Sequence, residues 1–134
     1  MSADSRTTAG ILLLTIVAIE YGGWFLTRIV RGKVPMTDFQ KSFARAGHAH
    51  AGVLVSLGLI CQLLADATHL HGPVAQVARS GVPLAAILMS AGFFVSSIGK
   101  GDVRQPNRLI WLVWLGALCL GAGVVTLGAG LLAG

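Results

Sequence analysis

Four stretches of about twenty predominantly apolar residues, joined by short polar connections, constrain this chain more than any motif in it. A helix of that length crosses a hydrocarbon layer of about 30 Å. The stretches run from about Ala9 to Val30, Ala46 to Ala65, Gly81 to Gly99 and Leu109 to Ala133. RGKVPMTDFQK, DATHLHGPVAQVARS and KGDVRQP separate them. In a chain of 134 residues, 54% hydrophobic and 11% charged, the apolar surface exceeds what one small soluble core can hide. The expected fold is all-α: a single-domain integral membrane four-helix bundle over residues 1–134.

Arg6 ahead of the apolar run Ile11 to Ala18 also suits a secretory signal peptide. No small-residue cleavage pattern follows, and Glu20, Tyr21 and Trp24 stand in its place, so the segment reads as a retained span. Thr37 precedes Gln40 by three residues, the spacing of a capping box, which predicts a helix start near Asp38, two turns before the chain submerges. Asn107 is placed to cap the fourth helix. Gly72-Pro73 is expected to break the chain between spans two and three, with Pro83 in the first turns of span three.

Basic residues set the expected orientation. If the first and third connections share a side, that side holds Arg28, Arg31, Lys33, Lys41, Arg45, Lys100, Arg104 and Arg108, against Arg6 and Arg79 opposite. The positive-inside rule then puts both termini outside the cytoplasm, in what reads as a bacterial cytoplasmic membrane. Attraction to anionic lipid headgroups accounts for the net charge of +5. Nucleic acid is not an expected partner, because the charges flank spans and form no stripe with interleaved aromatics. Trp24, Trp111 and Trp114 fit an interfacial belt, and Cys61 and Cys119 read as ordinary small core residues.

Gly116, Gly123 and Gly130 recur every seven residues in span four, with Gly121 and Gly128 on a neighbouring line. A glycine seam lets helix backbones approach closely where lipid removes any hydrophobic drive to associate. It serves either the bundle or a second subunit, so a homodimer or a larger membrane complex stays open.

The chemistry is confined to a few polar residues in the spans: Glu20 in the first, His48 and His50 in the second, with Gln62 and the serines of span three as weaker members. An ionisable group at depth costs a few kcal/mol and calls for a partner. Glu20 lies eight residues above Arg28, about 12 Å, and His50 five above Arg45, about 7 Å, so the groups are expected to meet as a cluster. Residues two apart on a helix diverge by about 200°, so His48 and His50 face different neighbours and cannot grip one ion together. One of them is expected to turn to the bundle interior. Gly22, Gly23, Gly47 and Gly52 clear space beside these groups, and Arg45 snorkels to the headgroups.

The stretch GHAHAG resembles the histidine-bearing spans of haem-copper oxidase and nitric-oxide-reductase-type membrane subunits. The resemblance implies an axial ligand in His48 or His50, and thus haem or a transition metal in a respiratory setting. Every intramembrane histidine here is on one helix, so two-histidine haem ligation requires a dimer, and a transition metal requires Glu20 in its shell. AIEYGGW resembles the first span of the small multidrug resistance family, which implies a proton-coupled transporter working through Glu20. A third reading has no cofactor: Glu20 and a histidine fix helix register in an accessory subunit or assembly factor. A proton relay through the same residues belongs with the first reading.

His69 and His71, in THLHG, form a second metal candidate in the outer loop, with Asp66 the only carboxylate close in sequence. No hydrolytic triad, paired carboxylates or phosphate loop is present, so enzymatic activity would be that of an oxidoreductase and would depend on a bound cofactor.

Overall fold

The computed structural model describes residues 1–134 as four helices: α1 (Ala3–Val30), α2 (Asp38–Ala65), α3 (Gly72–Ser96) and α4 (Trp111–Leu132). A single 3-10 turn over Arg108–Ile110 leads into α4. Each of the four is long and apolar enough to cross a membrane.

Local chemistry sets the helix ends. The Ser2 hydroxyl accepts from the Ser5 amide at 3.1 Å, so α1 begins at Ala3, a turn and a half before the apolar run. Its far end is a Schellman turn, in which the Lys33 amide returns to the Arg28 carbonyl and the Gly32 amide to the Ile29 carbonyl. Gly32 sits at φ 70°, where a side chain would be strained. The capping box at α2 forms as expected: the Gln40 amide donates to Thr37 Oγ1 at 3.2 Å, and the Thr37 amide to Gln40 Oε1 at 3.1 Å. The same two side chains donate onward, Thr37 Oγ1 to the Val103 carbonyl at 2.6 Å and Gln40 Nε2 to the Ser97 carbonyl at 3.0 Å. These bonds clip the first connection to the third. Asn107 accepts from the Leu109 amide and donates to the Val95 carbonyl, closing the turn into α4. The eight basic residues expected on one side therefore do gather at one end.

One boundary departs from expectation. The chain does break between α2 and α3, but Gly72-Pro73 itself opens α3, well before the expected Gly81, with His71 as N-cap and proline in the first turn, where its missing amide costs nothing. Pro83 consequently falls in the interior of α3. A proline there strips the Arg79 carbonyl of its usual intrahelical donor. Gln62 of α2, fully buried, supplies the replacement: its Nε2 donates to that carbonyl at 2.9 Å. Gln62→Leu leaves the part-buried Arg79 carbonyl without a donor but also removes Gln62 Oε1, which is buried without a partner, so the expected net cost is about 1 kcal/mol. Adding Pro83→Ala, which restores an amide donor, should recover part of that loss. Unfolding in detergent across this double-mutant cycle checks the coupling, and strictly additive effects would refute it.

α2 and α3 form the central pair, with α1 packed on α2 and α4 most extensively on α3. Leu12, Leu54, Val55, Ala85, Ala86 and Met89 make one core cluster, and Cys61, Ala65, Ala78, Val82 and Leu127 the other. The glycine seam of α4 serves this intrachain packing. A Cβ added at Gly81 would lie 2.6 Å from the Gly123 Cα, and one at Gly116 would lie 2.9 Å from the Met89 amide nitrogen. Gly130 receives the Leu70 side chain, whereas Gly121 and Gly128 have open space. The outer faces of α1 and α4, among them Leu14, Val17, Leu118 and Val125, are left exposed.

At the end remote from the basic cluster, Asp66 just past α2 ties three helices together. It accepts from the Ser2 amide at 2.7 Å, the Ser5 hydroxyl at 2.8 Å and Arg79 Nη2 at 3.1 Å. Loss of solvent would raise its carboxyl pKa, but these hydrogen bonds outweigh that and hold it well below the usual carboxylate range. The folded value lies below the ordinary 3.8, so the stabilisation is complete above that pH and fades as the pH falls below it. The thermal midpoint of the wild type should therefore drop between about pH 4 and about pH 2, while Asp66→Asn, lower at neutral pH, should be nearly flat over that range. Parallel acid limbs in the two proteins would contradict this assignment.

Candidate functional site

The residues carrying the chemistry separate around α2. On one side, α1 and α3 stand apart over α2 and leave a lateral apolar cleft of about 330 Å³. One wall is the α1 line Thr8, Leu12, Thr15, Ile19 and Gly22, spaced three and four residues apart so that they share a face. Pro83, Ala86, Ile87 and Phe94 of α3 form the other wall, and His48, Ala51 and Val55 the floor. His48 is the only ionisable side chain lining it.

Glycines bring the imidazole against α1. A Cβ at Gly22 would lie 3.4 Å from His48 Nδ1, and one at Gly23 would lie 3.3 Å from its Cε1. Gly22 and Gly23 thus face His48 rather than Glu20, and only Gly23 is tight enough against the ring for an added Cβ to crowd it. Gly47, one residue before it, faces the Phe94 ring, where an added Cβ would come within 3.0 Å. Neither nitrogen of His48 has a hydrogen-bond partner in the chain. His48 is half-buried and its nitrogens stay accessible from the cleft, where a ligand or water can engage them.

His50 faces a different neighbour, as the angular argument requires. Its Nδ1 lies 2.7 Å from the Ala46 carbonyl, and because a carbonyl only accepts, Nδ1 carries the proton. Its ring packs 4.8 Å from Phe93, which in turn meets Phe43 and, through it, Phe39. This aromatic ladder anchors α2 to α3.

Glu20 does not join either histidine. Its side chain is exposed and makes no hydrogen bond or ion pair. Height along α1 is compatible with a meeting, but angle is not: Glu20 is two residues, about 200°, from both Ala18 and Gly22, which line the cleft. No three metal-ligating side chains converge anywhere in the chain, so the expected Glu20, His48 and His50 cluster is not formed within one copy. His69 and His71 are both exposed, and Asp66, the carboxylate near them in sequence, is committed to Ser2, Ser5 and Arg79. Arg45 is exposed at the basic end, and Arg28 lies over the Trp24 ring at 5.2 Å.

Two structural roles escape a reading of the sequence. Gln62 stands out there only as a polar residue in a span, although a glutamine within reach of an internal proline is the signal for a substitute donor. Hydropathy places Arg79 in a connection, and its position inside α3 beside Asp66 follows only when Gly72-Pro73 is recognised as a helix start. Comparison with protein-family models, curated proteins and solved structures finds no match to this chain.

Proposed function

We propose that the chain is an integral membrane protein, oriented with its basic end in the cytoplasm, that binds a membrane-soluble ligand in the cleft between α1 and α3 through His48. One observation carries this reading: a histidine with both nitrogens unpaired is the sole ionisable group of an apolar cleft large enough for a small ligand. Haem suits such a site, since apolar walls favour its ring and a neutral imidazole supplies an axial nitrogen. A bare transition metal suits it less, because the other donors do not converge. Glu20 on the exposed face of α1 gives no support to a transporter built on a central carboxylate. The test is an absorption spectrum with elemental analysis of protein purified from native membranes, beside His48→Ala and His50→Ala. A Soret band with stoichiometric iron, lost in His48→Ala alone, is the expected result; a colourless, iron-free wild type would show that the cleft holds no haem.

Glu20 itself favours a second reading, that of an accessory subunit. An unpaired carboxylate on the outer face of a span is costly in lipid, and a partner helix covering it would relieve that cost. Purification in a mild detergent as part of a larger complex, dispersed by Glu20→Gln, would support this role; a lone chain under those conditions would count against it.

A further inference from the structure

We infer that the basic end of the α1–α2 hairpin holds a specific site for one anionic phospholipid, its phosphodiester on Arg45 and Arg31 and an acyl chain along α1. The inference rests on the membrane-spanning reading and is independent of His48. Two clefts adjoin there. A mainly polar one of about 390 Å³ is bounded by the Gly32 turn of α1 and by Lys41, Ser42 and Arg45 of α2. An almost wholly apolar one of about 410 Å³ follows Leu26, Thr27 and Val30 and includes Arg31. Val30 and Arg45 border both clefts. A polar seat joined to an apolar seat at an arginine has the amphipathic form of a phospholipid, whereas free phosphate would have no use for the second cleft.

Charge within the site is available for an anion. Asp38, which also lines the polar cleft, is paired with Lys41 at 3.1 Å. Arg31 and Arg45 have no carboxylate partner; the other side-chain pairs are Arg79 with Asp66 and Arg104 with Asp102. The nearby carbonyls of Arg28 and Ile29 are occupied by the Schellman amides, so they do not present free acceptors to the anion. The polar cleft also adjoins the first turns of α2, whose dipole favours negative charge. Guanidinium groups bind phosphate oxygens in a bidentate fork, and basic pockets between spanning helices are a known form of headgroup recognition.

Native mass spectrometry of the purified full chain tests the assignment, with dioleoyl phosphatidylglycerol, dioleoyl phosphatidylcholine and inorganic phosphate as probes. The wild type should retain one phosphatidylglycerol at least about tenfold more tightly than phosphatidylcholine. Arg31→Ala with Arg45→Ala should abolish that preference, Arg45→Lys should reduce it, and Arg104→Ala should leave it intact. Equal retention of the two lipids by the wild type would overturn the inference without recourse to any variant. So would an unchanged preference in the double variant, or displacement of the lipid by millimolar inorganic phosphate.

Discussion

Gly81→Val is expected to separate α3 from α4 and destabilise the chain by about 3 kcal/mol or more. The magnitude follows from what the new side chain would meet. A Cβ at this position lies 2.6 Å from the Gly123 Cα and 2.7 Å from the Cys119 carbonyl oxygen, both backbone atoms that no rotamer change can move. Relief requires the helices to part along the interface where α4 makes most of its contacts. Between helices in lipid, close approach of backbones is itself the source of association, so the loss is not recovered by burying the added methyl groups. Gly121→Val on the same helix as Gly123 provides the contrast, because an added Cβ there meets nothing within 4 Å. It should stay within about 0.5 kcal/mol of wild type. Unfolding in detergent reads both, and equal damage from the two substitutions would show that the seam is not the α3–α4 interface.

Gly22→Leu should weaken ligand binding by about 10- to 100-fold while leaving the fold intact. Gly22 lines the cleft, and the nearest atom to a Cβ added there is His48 Nδ1 at 3.4 Å, an ordinary contact that asks nothing of the backbone. The leucine would occupy the apolar volume of the proposed site and cover the imidazole. Filling a cavity with apolar atoms does not destabilise, so binding and stability should move independently. Gly10→Leu, also on α1 but in open space, should affect neither. A Gly22→Leu protein that binds as wild type would place the ligand elsewhere.

Much of the architecture can be read from the residues because bilayer length, capping and charge act locally. The Thr37–Gln40 box, the Asn107 cap and the gathering of basic residues at one end each depend on a few neighbouring side chains. What depends on helix rotation is not legible. α1 is apolar almost all round, so periodicity cannot say that Leu12, Ile19 and Gly22 face inward and Glu20 outward. Axial height alone then suggests a carboxylate and histidine cluster that rotation prevents. On α2 the angle between His48 and His50 is fixed by their spacing, and their divergence toward α1 and α3 follows it. Pro83 misleads for a related reason: its effect depends on where α3 begins, and that start is set by Gly72-Pro73 at a polar segment rather than by the onset of hydrophobicity.

If ligand binds through His48 alone, as proposed, the affinity should depend on that one imidazole. A titration of haemin into the purified protein in neutral detergent, comparing wild type, His48→Ala, His50→Ala and Glu20→Gln by the Soret absorbance, measures this dependence. Saturable binding should fall by about 100-fold in His48→Ala and change less than about twofold in the other two. Comparable losses in all three variants would restore the three-residue cluster, and a wild type that binds no tighter than His48→Ala would refute the site.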